Sequence, residues 1–192
     1  VNLMTAGRGI THSERSPQEQ RDQVRRIWGM QTWLALPDGL EEMEPAFEQQ
    51  TRLPIIAERG ARATVIMGRL WGESAPTTCH SPTIYADIEL APGGSIPIDP
   101  DASERAVMLV SGGASLDGQA LRQFDLNLLD AGGQLRLSSE TGGRIMLLGG
   151  EPLYTPRYLW WNFVSSSQER IRAATRDWQQ GRFPPVPGDP DN

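Results

Sequence analysis

The stretch "TIYADIEL" at residues 83–90 decides the fold class, because apolar and polar side chains alternate along it. One side carries four apolar residues, which are Ile84, Ala86, Ile88 and Leu90. The other side carries Tyr85, Asp87 and Glu89. A period of two residues predicts a β-strand with one face on a hydrophobic core.

Short runs of the same kind continue on both sides of this strand. They are "ARATVIMGRLWG" (61–72), Ile96–Ile98, "RAVMLVSGG" (105–113), "FDLNLL" (124–129), "GQLRLSS" (133–139) and "RIMLLGG" (144–150). Turn residues separate the runs, and Asp117-Gly118 predicts a tight hairpin. Short strands at this spacing predict an all-β sandwich or barrel.

The two ends of the chain have a different character. Residues 166–181 predict an α-helix with Ser166 as N-cap, Glu169 completing a capping box and Gly181 as the C-terminal stop. Near the N-terminus, residues 28–36 predict a strand, and residues 40–50 predict a turn or two of helix that Pro45 interrupts. Residues 16–26 are polar and predict an exposed loop or a short helical turn.

Composition excludes several functional classes. The net charge is −6 and no basic block occurs, so direct nucleic-acid binding is not expected. No apolar stretch approaches the length of a membrane span, so no membrane association is expected. The single cysteine permits no intrachain disulfide, which fits a reducing compartment and predicts a soluble cytoplasmic protein.

Two residues near the start could bind a metal ion. His12 and Glu14 are separated by one residue, a spacing that would place both side chains on one face of a strand. An imidazole and a carboxylate suit first-row metals, but the facial site of non-haem iron oxygenases needs two histidines and one carboxylate. The alternative is a turn histidine bonded to its neighbours. The other histidine, His80, is predicted to be an exposed loop residue.

Aromatic residues near the C-terminus allow two interpretations, a ligand-binding role and a packing role. Trp160, Trp161 and Phe163 could stack against a ligand, but we favour a packing role for them.

The sequence resembles the pirin family over nearly its whole length. The matching motifs, in order, are "MTAGRGITHSE" (4–14), "LPDGLEEMEPAF" (36–47), "TIYADIEL" (83–90), "LLGGEPL" (147–153), "WWNFVSSSQERI" (160–171) and "W..GRF..VPGD" (178–189). Pirins are bicupins, so the resemblance implies jelly-roll-like cupin β-barrels with a C-terminal α-helix. It also implies that residues 1–72 are the remainder of the metal-bearing N-terminal domain and the inter-domain segment. Residues 73–192 would be the metal-free C-terminal cupin domain with its helix and Pro-rich tail.

The resemblance also implies a metal site. The pirin site holds one divalent metal, iron foremost, with Mn, Ni, Cu or Zn as alternatives. His12 and Glu14 match two of its ligands, and Glu14 would also be the catalytic base. The other two ligands form a His-x-His pair well upstream. The eleven residues before His12 contain no histidine, so we expect an incomplete N-terminal barrel and weak metal binding by this chain.

Three functions follow from the resemblance. The complete protein would be a quercetin 2,3-dioxygenase, which cleaves a flavonol with oxygen and releases carbon monoxide. Alternatively, it would be a metal- or redox-responsive regulator that binds a protein partner, or this chain would be an inactive partial pirin. Oxygen uptake with a flavonol separates the first function from the others.

Overall fold

The computed structural model describes residues 1–16, 18–21, 24, 26–98, 102–186 and 188–189. The strands are β1 (Asn2–Thr5), β2 (Ala46–Gln49), β3 (Ile55–Glu58), β4 (Ala61–Met67), β5 (Arg69–Leu70), β6 (Glu73–Ser74), β7 (Thr83–Leu90), β8 (Ser95–Ile98), β9 (Glu104–Gly112), β10 (Ser115–Leu116), β11 (Gln119–Ala120), β12 (Leu126–Leu129), β13 (Leu135–Ser138), β14 (Gly143–Gly150), β15 (Tyr158–Trp160) and β16 (Phe163–Ser165). The helix α1 spans Gln168–Gln179, and a 3-10 turn spans Gln18–Gln20.

Two antiparallel sheets carry most of the strands. The larger has the order β12-β9-β14-β7-β4-β3, and the smaller has the order β11-β10-β13-β8. Neighbours in both sheets are often distant in sequence, as when β14 pairs with both β7 and β9. The all-β prediction is therefore confirmed.

The alternation in "TIYADIEL" is also confirmed. In β7, Ala86 and Ile88 are completely buried, whereas Glu89 is exposed. Ile145 and Leu147 of β14 lie opposite Ile88 and Ala86, respectively, and extend the same apolar face. This face belongs to one core cluster with Ile96, Ile98 and Leu137 from the smaller sheet.

The hairpin predicted at Asp117-Gly118 connects β10 to β11. Asp117 has φ 45° and Gly118 has φ 84°, and both central residues of a type I′ turn need positive φ. Ser115 pairs with Ala120 across the turn, so the prediction is confirmed.

The chain divides into two compact units. The first comprises Val1–Leu3 and Phe47–Leu153, and the second comprises Met4–Ala46 and Tyr154–Asn192. Both large sheets lie in the first unit, and in the second unit α1 packs on β15 and β16. The boundary between the two cupin domains that was expected after residue 72 stays a prediction. The six-stranded sheet contains β3 and β4, which precede residue 72, as well as strands that follow it. No helix in the described ranges is long and apolar enough to cross a membrane.

Two predictions near the N-terminus are wrong. The described residues of 26–37 have no regular secondary structure, and Trp28 and Trp33 are each about half exposed. A run of apolar residues forms a strand only when a neighbouring strand supplies the hydrogen-bond partners. In the sheets of the described residues, no strand pairs with residues 28–36. Residues 40–43 form turns rather than helix, and β2 begins directly after Pro45. The exposed loop predicted at 16–26 is confirmed for the residues of this segment that the structure describes. Residues 17, 22, 23 and 25 are not among the described residues.

The helix α1 begins one residue later than predicted. Ser167 is the N-cap and accepts a hydrogen bond from the Arg170 N–H at 3.2 Å, so Glu169 is not placed to complete the capping box. Gly181 has φ 63° just after the helix, which agrees with the predicted C-terminal stop.

A distant carboxylate supports the start of this helix. Glu41 accepts hydrogen bonds from the Ser166 N–H at 2.7 Å and from the Ser166 hydroxyl at 2.5 Å. The guanidinium of Arg157, whose side chain is 9% exposed, lies 3.2 Å from the same carboxylate. A negative group at a helix N-terminus is favourable because backbone N–H groups there lack partners within the helix. Glu41 thus fixes the residue that precedes the N-cap and places a negative charge near the start of α1, from 125 residues away.

We expect Leu147→Ala to lower the free energy of unfolding by about 2–5 kcal/mol, because it opens a cavity in the core. Leu128→Ala is the matched control, since Leu128 is 82% exposed whereas Leu147 is completely buried. The control should change stability by less than about 0.5 kcal/mol. Urea denaturation of both variants checks this, and equal losses would contradict the assignment of the core.

Candidate metal-ligand segment

The backbone just before the candidate ligands is fixed by a close approach to a turn. Gly7 has φ 51°, and a Cβ atom at this position would lie 2.0 Å from the Met43 carbonyl oxygen. The neighbouring Arg8 N–H donates a hydrogen bond to the same oxygen at 3.1 Å. Only glycine therefore fits at residue 7.

The second glycine of the motif faces an aromatic ring. Gly9 has φ 127°, and a Cβ atom there would lie 3.1 Å from the Phe183 ring. The Gly9 N–H donates to the Ala6 carbonyl oxygen at 2.9 Å. The two glycines let the chain turn at residues 6–9 and run alongside Phe183.

His12 and Glu14 follow in a segment with no regular secondary structure, and both are exposed. Because the segment is not a strand, the geometric argument from their spacing does not apply to it. The roles of His12 as a metal ligand and of Glu14 as a ligand and catalytic base stay predictions.

Contacts from the end of the chain hold both sides of this pair. The Thr11 hydroxyl donates a hydrogen bond to the Pro184 carbonyl oxygen. Arg15 makes a bidentate contact with Asp189, with Nη2 2.6 Å from Oδ1 and Nε 3.2 Å from Oδ2. The Asp189 side chain is only 6% exposed, so this pair is partly shielded from water. His12 and Glu14 thus lie between two anchored residues.

The donor chemistry fits a divalent metal, but the number of donors does not complete a site. An imidazole nitrogen and a carboxylate oxygen are common ligands of first-row metals. Among the described residues, however, no group of three or more His, Cys, Asp or Glu could hold a metal ion. His12 and Glu14 fit as part of a metal site whose other ligands are not among these residues.

His80 lies in the other unit, in the loop between β6 and β7, and is half-buried rather than exposed as predicted. Nearby, Glu48 accepts hydrogen bonds from the Thr78 N–H at 3.2 Å and from Gln50 at 2.7 Å. Hydrogen bonds from Thr78 and Gln50, with the charge of His80, lower the pKa of Glu48 despite some desolvation. Cys79 is exposed, but partial desolvation of its thiol raises the thiol pKa, which opposes formation of a reactive thiolate.

The C-terminal aromatic residues form a cluster in the second unit. Trp161 lies 5.0 Å from Trp178 and 5.6 Å from Phe163, measured between ring centroids. Phe183 lies 5.8 Å from Phe163 and 5.7 Å from Trp178. Phe163 is half-buried, so the packing role fits it, whereas Trp160 and Trp161 are 61% and 51% exposed.

Sequence reasoning missed Thr11, Arg15 and Asp189 as neighbours of the candidate ligands. Arg15 and Asp189 are 174 residues apart, so no local pattern connects them. One signal was present in "VPGD" at 186–189, which is typical of a turn. The Asp189 N–H donates to the Val186 carbonyl oxygen at 3.2 Å, and Gly188 has φ 76°.

We expect Gly7→Ala to destabilise the second unit by about 3 kcal/mol, because it adds a backbone clash to the cost of positive φ. Gly39→Ala is the control, since Gly39 has φ 82° but no atom of the described residues lies within 4 Å of the place that its Cβ would take. The control should cost about 1 kcal/mol. Urea denaturation followed by tryptophan fluorescence measures both, and equal costs would contradict the close approach to Met43.

Comparison with known proteins places this arrangement in a family. Residues 85–184 match the Pirin C-terminal cupin domain. A pirin-like protein of Caulobacter vibrioides is 39% identical over 95% of this chain, and the chain spans 64% of that relative. The crystal structure of a quercetin 2,3-dioxygenase from Acinetobacter baumannii is 31% identical, with a TM-score of 0.75 over 82% of this chain and 54% of that one. The chain belongs to the pirin family.

Proposed function

We propose that the complete protein is a metal-dependent dioxygenase of the quercetin 2,3-dioxygenase type, with a flavonol or similar aromatic compound as substrate. The observation that carries this proposal is the similarity to the Acinetobacter baumannii enzyme in both sequence and fold. The chain spans just over half of that protein, so residues beyond this chain would supply the rest of the site.

His12 and Glu14 are the residues that this chain contributes to the proposed metal site. His12 is one ligand of a single divalent metal, with iron as the first candidate. Glu14 is a second ligand and the base that accepts the proton of the flavonol hydroxyl, a role that carboxylates perform when they lie within hydrogen-bond reach. Both side chains are exposed and are flanked by residues with fixed partners, which supports these assignments.

The protein would act in the cytoplasm on a small molecule. The single cysteine fits a reducing compartment. The net charge of −6 does not favour contact with nucleic acid.

Oxygen uptake with quercetin tests the proposal. The protein to use is a chimaera in which the part of the Caulobacter vibrioides relative that this chain does not match precedes Val1. With iron added, it should consume oxygen and release carbon monoxide. His12→Ala and Glu14→Gln should each lower the rate at least about 100-fold, since loss of an outer partner of a metal ligand alone costs about 10–100-fold.

His80→Ala is the matched control, because His80 is the second histidine of the chain and lies in the other unit. It should leave the rate unchanged. A chimaera no faster than free iron would contradict the dioxygenase proposal and favour a regulator with a protein partner. Full activity in His12→Ala would contradict the assigned ligand.

A further inference from the structure

We propose that residues 183–186 and 188–189, near the C-terminal end of the chain, form a clamp that positions His12 and Glu14, with Arg15 and Asp189 as positioning residues. The importance of the clamp for catalysis rests on the proposed function, but its existence does not. Its basis is a set of contacts between Gly9–Arg15 and the end of the chain, all of which lie in one compact unit.

The clamp touches the ligand segment at three points along its length. The Phe183 ring lies against Gly9, where a Cβ atom would be 3.1 Å away. The Pro184 carbonyl oxygen accepts the Thr11 hydroxyl. The carboxylate of Asp189 binds Arg15 through two hydrogen bonds. The contacts run in the same order along both segments, so the clamp follows the ligand segment from one side of His12 to the other side of Glu14.

The ligand segment needs such support because it lies outside the regular hydrogen-bond ladders. Residues 9–16 belong to no helix or strand. A loop without secondary structure loses conformational entropy when it is fixed, and this loss opposes order in the segment. Side-chain contacts to a rigid neighbour are then what restricts its conformations.

The clamp is itself anchored to rigid structure. Phe183 stacks on Phe163 of β16 and contacts Trp178 of α1. At the other end, the Asp189 N–H donates a hydrogen bond to the Val186 carbonyl oxygen, a contact within the clamp itself. The Asp189 carboxylate is 6% exposed and the Arg15 side chain is 45% exposed, so water is excluded from this pair mainly on the Asp189 side. Arg–carboxylate pairs with two hydrogen bonds also fix direction as well as distance.

The test measures order in the 192-residue chain. In the wild-type protein, the backbone ¹⁵N order parameters of Thr11–Glu14 should be near those of rigid backbone, about 0.85. In Arg15→Gln and in Asp189→Asn they should fall below about 0.6, the range of flexible segments. The double variant should be no worse than either single variant, because both remove the same interaction.

Two controls separate the clamp from general loosening. Arg122→Gln removes the Arg122–Asp125 pair in the other unit and should leave residues 11–14 unchanged. The charge exchange Arg15→Asp with Asp189→Arg should restore part of the order. A flexible wild-type segment, or order unchanged in Asp189→Asn, would overturn the proposal.

A second readout follows the positions of the ligands directly, with Mn²⁺ alone as the probe. The Mn²⁺ concentration that half-broadens the His12 ring signals should rise about three- to tenfold in Asp189→Asn, below the roughly 10–100-fold of outer-shell losses at complete sites. The charge exchange should reverse part of this rise. An unchanged concentration would overturn the positioning role. If the segment loosens but the chimaera shows no oxygenase activity, the clamp stands and the proposed function fails.

Discussion

The packing of the six-stranded sheet against the four-stranded sheet is the constraint on which the first unit depends. Ile88, Ile145 and Leu147 point from one sheet into a cluster shared with Ile96, Ile98 and Leu137 from the other. All six are at most 1% exposed. Because successive strand residues face opposite sides, a slip of one residue in β7 would move Ile88 out of the core, and a slip in β14 would move Ile145 and Leu147 out of it. The registry of the central strands therefore follows from burial of their apolar residues.

The second unit is held together differently. Its residues come from two parts of the chain more than 100 positions apart. Specific polar contacts join these parts: Glu41 with the start of α1, Arg157 with Asp38 at 2.7 Å, and Arg170 with Glu42 at 2.7 Å. The aromatic cluster adds apolar contact around Phe183. The candidate ligands lie in this unit, so their positions depend on directional contacts rather than on a sheet.

This difference explains which features the sequence predicted. The strands at 83–90 and 144–150 and the Asp117-Gly118 hairpin were predictable because their signals are local, namely alternation and turn residues. The strand expected at 28–36 was wrong because a short run rich in apolar residues does not specify a pairing partner. The helix was predicted, but its N-cap is Ser167 rather than Ser166. The contact from Glu41 could not be predicted because it comes from a distant segment of the chain. For the candidate site, His12 and Glu14 were found through family resemblance, whereas Arg15 and Asp189 meet only in the folded chain.

If His12 and Glu14 are two ligands of an otherwise incomplete site, the chain on its own should retain almost no metal. The metal content of the purified 192-residue protein, measured by elemental mass spectrometry after extensive dialysis, tests this most directly. We expect close to zero metal per chain, because two donors hold a divalent ion too weakly to survive dialysis. A value near one metal per chain would contradict the incomplete site, since further donors would then have to come from the chain itself or from a second copy.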